Sequence, residues 1–235
     1  MARLALCLVV AVLAIPCSAS GAPSPVVRVP DGFLDLSHGV PESLVGKLPP
    51  TIEQEATSGT HLAYAIDLSQ LGHGPVANMR ATESRGVLPD PPTLTASRDG
   101  LAAAFAKIYP GMTLKIASAS PVSVGQFHGV RVVLDIETAV GPLRQLLYLL
   151  PLGEESLMLT YTAARSAYEA YEPRFDASAL ATTGLQAAPT RLSFWELMPA
   201  ILGGTAAAVT SVFIGSRKKR KAAAAKPPPG ESPAT

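Results

Sequence analysis

Residues 129–137 read Gly-Val-Arg-Val-Val-Leu-Asp-Ile-Glu, an alternation that is typical of a β-strand. Every second position is apolar, at Val130, Val132, Leu134 and Ile136. Charged residues lie between them, at Arg131, Asp135 and Glu137. Successive side chains of a strand point to opposite faces, so we expect the apolar face to lie on a core and the charged face to lie in water.

Two further strands follow this one with only short turns between them. Gly141-Pro142 leads into an apolar run at residues 143–150, and a turn at residues 151–154 leads into residues 156–162. Three consecutive strands with such short connections predict an antiparallel meander.

The chain before the meander predicts strands and one clear helix. The apolar residues of the helix have helical spacing and end at Pro110-Gly111; they are Leu101, Ala104, Phe105, Ile108 and Tyr109. We expect strands at residues 60–68 and 75–82, joined by Gly72-His73-Gly74, and a short strand at residues 26–29. Residues 39–50 are rich in Pro and Gly and are predicted to be irregular.

The chain after the meander predicts a second helical region. Its apolar residues are Ala164, Tyr168, Tyr171 and Phe175. We expect an interruption near Pro173 and a final helical piece at residues 176–183. The order of strands, helix, meander and helix predicts the α+β class, an antiparallel β-sheet flanked by helices, over residues 21–188.

Several runs of turn and core residues in this domain carry a family resemblance. They are Val-Pro-Asp-Gly-Phe at 29–33, Gly-Val-Arg-Val at 129–132, Tyr-Leu-Leu-Pro-Leu-Gly at 148–153, Leu-Met-Leu-Thr at 157–160, and Tyr168 with Pro-Arg-Phe-Asp at 173–176. In these runs the chain resembles the PsbP-like/DcrB group, which includes photosystem II extrinsic subunits and bacterial envelope lipoproteins. The resemblance implies a sheet flanked by helices and a role in binding or assembly more than in catalysis.

The first 20 residues have the pattern of a cleavable signal peptide. Arg3 precedes an apolar run at residues 4–15, and small residues follow Pro16. The run covers about 18 Å, which is short of the ~30 Å hydrocarbon core. We expect cleavage after Ala19 or Ser20. Cys17 offers a lipoprotein alternative, which the proline directly before it disfavours.

A second apolar segment predicts a transmembrane helix at residues 194–216. Residues 197–214 carry no charge and reach roughly 27 Å, and Arg-Lys-Lys-Arg-Lys follows at 217–221. This basic cluster places the tail, residues 217–235, in the cytoplasm as a disordered segment. The domain of this single-pass protein is then extracytoplasmic, and periplasmic in a Gram-negative cell. A buried core helix is the alternative, but the segment has no polar face.

The predicted transmembrane helix also carries small residues at four-residue spacing. They are Gly203, Gly204, Ala207 and Ala208. Such spacing lets two helices approach closely, so self-association in the lipid bilayer is a further hypothesis.

Charge and cysteine content exclude several classes of protein. Residues 21–192 carry 12 Lys and Arg against 16 Asp and Glu, a net charge of −4, whereas residues 217–235 carry six basic residues and one acid, a net charge of +5. A nucleic-acid partner is excluded because it needs basic residues on the folded part. Cys7 and Cys17 both lie in the signal peptide, which leaves the mature chain without a disulfide, a thiolate metal site or a cysteine nucleophile.

The sequence contains none of the common catalytic patterns. There is no Gly-x-Ser-x-Gly elbow, no Gly-x-x-x-x-Gly-Lys loop and no His-Glu-x-x-His pair. The four histidines lack ligand spacing and are His38, His61, His73 and His128. His73 near Asp67 is a weak candidate for a metal ligand, and His128 is expected at the start of a strand. We therefore predict no catalytic, cofactor-binding or metal-binding residues and no cofactor.

Two acidic pairs and one aromatic group remain as candidates for chemistry. Asp135 and Glu137 share a strand face about 7 Å apart, a separation that glycoside hydrolysis uses, but simple solvent contacts are the favoured interpretation. Glu154 and Glu155 are expected to be solvated in a turn. The aromatics are expected to pack in the core, and the alternative is a ligand groove; they are Tyr161, Tyr168, Tyr171 and Phe175.

The favoured function is a membrane-tethered, non-catalytic domain that binds a protein partner or assists assembly. The alternatives are a carrier of a small apolar ligand and a hydrolytic enzyme of unrecognised type. A dry cavity beside Tyr161 and Tyr168 would favour the carrier, whereas a pocket that converges on Asp135, Glu137 or His73 would favour the enzyme.

Overall fold

A computed structural model of the chain describes residues 24–72, 74–85, 91–108, 111–139 and 141–187. The strands in these ranges are β1 (Leu34–Asp35), β2 (Ala63–Ile66), β3 (Asn78–Arg85), β4 (Thr113–Val124), β5 (Phe127–Thr138), β6 (Gly141–Leu152) and β7 (Glu155–Ala164). The α-helices are α1 (Pro50–Thr57), α2 (Pro91–Ala96), α3 (Arg98–Ile108) and α4 (Tyr168–Leu180). The strands form one antiparallel sheet in the order β1-β2-β3-β7-β6-β5-β4. The predicted α+β class, an antiparallel sheet with helices, is confirmed.

The predicted meander forms the centre of this sheet. Strands β5, β6 and β7 pair in sequence, as expected from their short turns. Strand β4 extends the meander at the edge and was not predicted from the sequence. It is rich in Ser and Ala, contains Pro121, and shifts register between Ile116 and Ser118. Edge strands tolerate such breaks because only one side of the strand is paired.

Helices cover both faces of the sheet. One face, here the α4 face, packs against α4 and includes Tyr148, Leu159 and Tyr161. The other face, here the α3 face, packs against Leu94 of α2 and Phe105 of α3. The apolar residues predicted for β5 all lie on the α3 face in this core: Val130, Val132, Leu134 and Ile136. The apolar half of the alternation is therefore confirmed.

The charged half of the β5 alternation does not lie in open water, contrary to the prediction. Arg131 and Asp135 are partly buried on the α4 face, and Val133 between them belongs to the core there. The reason is that α4 covers this face and supplies carboxylates to Arg131. Only Glu137, nearest the end of the strand, is exposed as expected.

A smaller core lies at the other edge of the sheet. Ile52 and Ala56 of α1 pack with Tyr64 and Ile66 of β2. Helix α1 was not predicted, because eight residues with two apolar side chains facing inward give a weak periodic signal. It begins at Pro50, and proline is a favoured residue at the first position of a helix. The irregular structure predicted for residues 39–50 is confirmed except for a short 3-10 helix at Glu42–Leu44 and for Pro50, where α1 begins.

The remaining predictions of secondary structure have mixed outcomes. The paired strands near residues 60–68 and 75–82 are confirmed as β2 and β3, with the second shifted toward the C-terminus. The helix before Pro110 is confirmed as α3. Residues 26–29 do not form a strand, because Val26 makes only one isolated bridge, to Thr183.

The interruption predicted in the last helix is wrong. Helix α4 runs without a break from Tyr168 to Leu180 and contains Pro173. Pro173 lies on the exposed side of the helix, where water can reach the carbonyl of Glu169 that loses its N–H partner. One lost hydrogen bond is tolerated because Tyr171 and Phe175 on the buried side fix the helix to the sheet.

The predicted signal peptide, transmembrane helix and cytoplasmic tail lie outside the described residues. Within the described ranges, no helix combines the length and the apolar character that a bilayer span requires.

Candidate functional site

Four charged side chains gather beside the β5–β6 turn, and we call them the hairpin cluster: Asp135, Glu137, Arg144 and Arg165. Asp135 and Arg144 are direct cross-strand partners. The guanidinium of Arg144 donates to both carboxylate oxygens of Asp135, at 2.7 and 3.2 Å. This two-bond geometry is the strongest that an arginine and a carboxylate form.

Arg165 joins the two acids of the hairpin cluster. Its Nη2 lies 3.4 Å from Oδ2 of Asp135, and its Nη1 donates to Oε1 of Glu137 at 3.2 Å. The residue follows the end of β7, and its N–H donates to the carbonyl of Pro142 at 3.1 Å, which holds the side chain over the hairpin. The acids do share a strand face, as predicted, but Arg165 bridges them.

The electrostatics of the hairpin cluster disfavour acid–base chemistry. The hydrogen bonds from Arg144 hold the pKa of Asp135 below its usual value against an opposing effect of burial, and the charges of Arg144, Arg165 and Lys115 act in the same direction. A general acid needs a raised pKa, so Asp135 is unsuited to that role. The favoured interpretation of Asp135 as a simple solvent contact is also wrong, since its side chain is only 11% exposed and ion-paired.

A second ionic group, here the α4 clamp, ties α4 to the sheet; it consists of Arg131, Tyr148, Glu172 and Asp176. Arg131 contacts Glu172 at 2.5 Å and Asp176 at 3.2 Å. The hydroxyl of Tyr148 donates to Asp176 at 2.6 Å. Burial alone would lower the pKa of Arg131, but the hydrogen bonds to Asp176 and Glu172 raise it. Glu172 and Asp176 are one helical turn apart, so one arginine reaches both.

The aromatic candidates pack in the core between β7 and α4, as expected. All four are buried: Tyr161, Tyr168, Tyr171 and Phe175. Phe175 stacks on Tyr161 and Tyr171 with ring centroids 5.0 and 5.6 Å apart. Phe33, from the N-terminal segment, contacts Tyr171 and Phe175 edge-on. The rings therefore pack against one another in the region where the carrier alternative places its ligand.

Asp67 is a buried acid whose role the sequence did not reveal. It accepts a hydrogen bond from the hydroxyl of Tyr171 at 2.7 Å and from the N–H of Ser69 at 2.8 Å. Burial acts to raise the pKa of Asp67, but the bonds from Tyr171 and Ser69 outweigh it and lower the pKa. Asp67 thus links α4 to the chain after β2. Its partner is 104 residues away, so sequence spacing gives no signal for it.

Of the three histidines in the described residues, His61 and His128 contact residues outside both ionic groups. His128 is the second residue of β5, as expected, and its Nδ1 lies 3.1 Å from Oγ of Ser123. His61 is near Glu55, which Arg80 contacts at 2.8 Å. Burial, and then the charge of Arg80, lowers the pKa of His61. His38 is exposed.

The weak metal candidate cannot be placed in this geometry. His73 lies outside the described residues. In the part of the chain that the structure describes, no three His, Cys, Asp or Glu side chains come together as a metal-binding group. The absence of a metal site stays a prediction for the whole chain.

Comparison with known proteins finds likeness only among solved structures. No family model and no curated protein matches the chain. Cyanobacterial PsbP (CyanoP) from Synechocystis is 11% identical, with 68% of this chain and 85% of that chain covered at a TM-score of 0.43. LpqN of Mycobacterium tuberculosis, described as involved in cell envelope biogenesis, is 14% identical. The match covers 71% of this chain and 86% of that chain at a TM-score of 0.41. PA94 of Pseudomonas aeruginosa, of unknown function, is 16% identical. The match covers 51% of this chain and 78% of that chain at a TM-score of 0.36. Membership of the PsbP-like group stays a prediction from the sequence.

Proposed function

We propose that this chain is an exported protein, held in a membrane by residues 194–216, whose domain binds a protein partner or assists an envelope assembly without catalysis. The signal-peptide pattern and the basic cluster after the apolar segment support export and tethering. The α+β domain between them is the part that meets a partner.

The hairpin cluster is the observation that carries the binding role. Its two acids would be the proton donor and base of a hydrolase, but Arg165 bridges them and Asp135 is kept ionised. At the same time the side chains of Arg165 and Glu137 are 44% and 56% exposed. Exposed charges of both signs on a hairpin of paired strands suit recognition of a protein with complementary charges.

Affinity purification with charge-reversal variants tests this proposal. We expect the full-length chain, tagged at its C-terminus and solubilised from membranes in mild detergent, to retain a protein partner at low salt. Arg165→Glu should reduce the retained partner at least about tenfold, because a like charge that faces the partner costs more than ~1.4 kcal/mol. Arg28→Glu is the matched control, since Arg28 is 62% exposed and pairs only locally with Asp31.

Three results would contradict the proposal in different ways. Equal loss of the partner in the Arg165 and Arg28 variants would show that the hairpin cluster is not the binding surface. If the wild-type protein turns over a substrate and Asp135→Asn loses this activity, the hydrolytic enzyme is favoured. A small apolar molecule released when the purified protein is denatured would favour the carrier.

A further inference from the structure

The two ends of the described domain lie side by side. The backbones of Val26 and Thr183 exchange hydrogen bonds of 3.0 and 3.1 Å. Gly184 has a φ of +74°, and a Cβ atom at this position would lie 2.6 Å from the carbonyl oxygen of Ser24, so this close approach requires glycine. The segment that follows the predicted signal peptide and the segment that leads to the predicted transmembrane helix therefore leave the domain together.

The C-terminal segment is fixed to one end of the sheet. Gln186 pairs in parallel with Leu152, the last residue of β6. Its N–H donates to the carbonyl of Pro151 at 3.2 Å, and its carbonyl accepts from the N–H of Gly153 at 3.3 Å. The chain therefore leaves the domain beside the β6–β7 turn.

The sheet has two distinct ends. The terminal end carries the β6–β7 turn, and the pairing of Val130 with Leu149 places the β4–β5 turn at residues 125–126 next to it. The hairpin end carries the β5–β6 turn and the hairpin cluster. Strand β5 has 12 residues, so the two ends are about 40 Å apart at ~3.3 Å per residue.

The length of the connecting chain limits how far the terminal end can lie from a bilayer. Leu197, the start of the uncharged apolar run, is the tenth residue after Ala187. A fully extended chain spans at most ~3.3–3.6 Å per residue, which gives about 35 Å. The hairpin end lies about one strand length from the terminal end, so it is the farther end whenever the terminal end faces the bilayer.

Acidic side chains at the terminal end oppose adhesion to an anionic lipid surface. Glu154 is exposed in the β6–β7 turn, and Glu83 and Glu155 lie near each other on the adjoining strands. These acids are repelled by anionic headgroups. The tether, and not charge attraction, then sets how the domain is oriented.

We propose that the terminal end faces the bilayer and that the hairpin end, with its charged cluster, points away from it toward protein partners. This inference rests on the tether of the proposed function and adds which surface the tethered domain presents.

Single-cysteine labelling measures this orientation. The chain has no cysteine after the signal peptide, so Gln126→Cys and Ala139→Cys each supply one thiol at matched, exposed turn positions of the two ends. The full-length mature chain with a fluorescent donor is reconstituted in phosphatidylcholine vesicles that carry acceptor-labelled headgroups. We expect energy transfer from position 126 to exceed that from position 139 at least about twofold, because the positions are about 40 Å apart.

Two further arms make the result specific. Glu154→Cys, in the neighbouring turn, should repeat the result of Gln126→Cys. Vesicles that contain phosphatidylglycerol should give the same order, since the tether sets the orientation. Flotation of each labelled protein with the vesicles reports the tether separately.

The outcomes distinguish this inference from the proposed function. Equal transfer from the two ends, or greater transfer from position 139, in protein that floats with the vesicles would overturn the orientation alone. Protein that fails to float would overturn the tether and the orientation with it.

Discussion

Two arginines of this domain each join two carboxylates, and they differ in their surroundings. Arg131 lies between β5 and α4, where 20% of its side chain is exposed, and its partners belong to α4. Arg165 lies beyond the end of β7, where 44% of its side chain is exposed, and its partners belong to β5. The first joins a helix to the sheet, whereas the second joins residues at the hairpin end of the sheet to one another.

The difference shows how the same ionic motif serves two purposes. Breaking a partly buried pair leaves carboxylates without a counter-charge, and this is costly. Breaking an exposed pair costs little, because water replaces the lost contact. We therefore expect the α4 clamp to contribute to stability and the hairpin cluster to be free to contribute to binding.

The largest expected effect is at the centre of the α4 clamp. Arg131→Met should lower the free energy of unfolding by about 1–3 kcal/mol, because Glu172 and Asp176 then lie close together without a cation. The loss is not larger because both carboxylates remain partly exposed to water. Urea unfolding of residues 21–190, which we expect to fold alone and independently of reductant, measures this change. The triple variant with Glu172→Gln and Asp176→Asn should recover part of the loss. A loss below ~0.5 kcal/mol in the single variant would contradict the assigned role of the clamp.

A smaller effect is expected at the hydroxyl that completes the clamp. Tyr148→Phe removes the donor to Asp176 and keeps the buried ring, so it should cost about 1–2 kcal/mol. The same urea experiment measures it. The effect should shrink in the Asp176→Asn background, and strict additivity of the two changes would show that the bond is not energetically coupled.

A still smaller effect is expected in the hairpin cluster. Arg165→Met should change the free energy of unfolding by less than about 1 kcal/mol, because much of the side chain is in water. The difference from wild type should fall further at 1 M salt, where screening shortens to ~3 Å. Destabilisation as large as that of Arg131→Met would erase the distinction between the two arginines.

The smallest expected effect is a dependence on pH that Asp135 contributes. Its pKa is lower in the folded than in the unfolded chain, so the unfolded chain binds more protons in acid. Its contribution to stability is present above the unfolded value of ~3.9 and is lost as the pH falls through the folded value. Unfolding free energies measured between pH 6 and 3 should decline less steeply for Asp135→Asn than for wild type. An identical slope for the two proteins would contradict the ion-paired state of Asp135.

The sequence was informative where the signal is local. The alternation in residues 129–137 and the turn at Gly141-Pro142 predicted both the meander and the apolar face of β5. Alternation shows which residues share a face but not what covers that face. The partners of Arg131 are 41 and 45 residues away, so the α4 clamp was not visible.

The elements that were missed have weak or conflicting local signals. Strand β4 is rich in Ser and Ala, contains Pro121 and is paired along one side. Pro173 predicted a break in α4, yet the helix continues because burial of Tyr171 and Phe175 outweighs one lost backbone hydrogen bond. Tertiary packing decided these cases, and neighbouring residues in the sequence carry no information about that packing.

The most direct test of the tethered domain is its topology in the membrane. Spheroplasts that express the full chain with a tag after Thr235 are treated with protease from outside. We expect the domain to be digested while the tag survives on a small membrane-bound fragment, because moving the cations at 217–221 across hydrocarbon costs roughly 2.5–3.5 kcal/mol each on insertion scales. Changing residues 217–221 to Ala should weaken retention or orientation, whereas Arg191→Ala should not. Cleavage of the tag from outside in the intact protein would contradict the topology and the tethered-domain function with it.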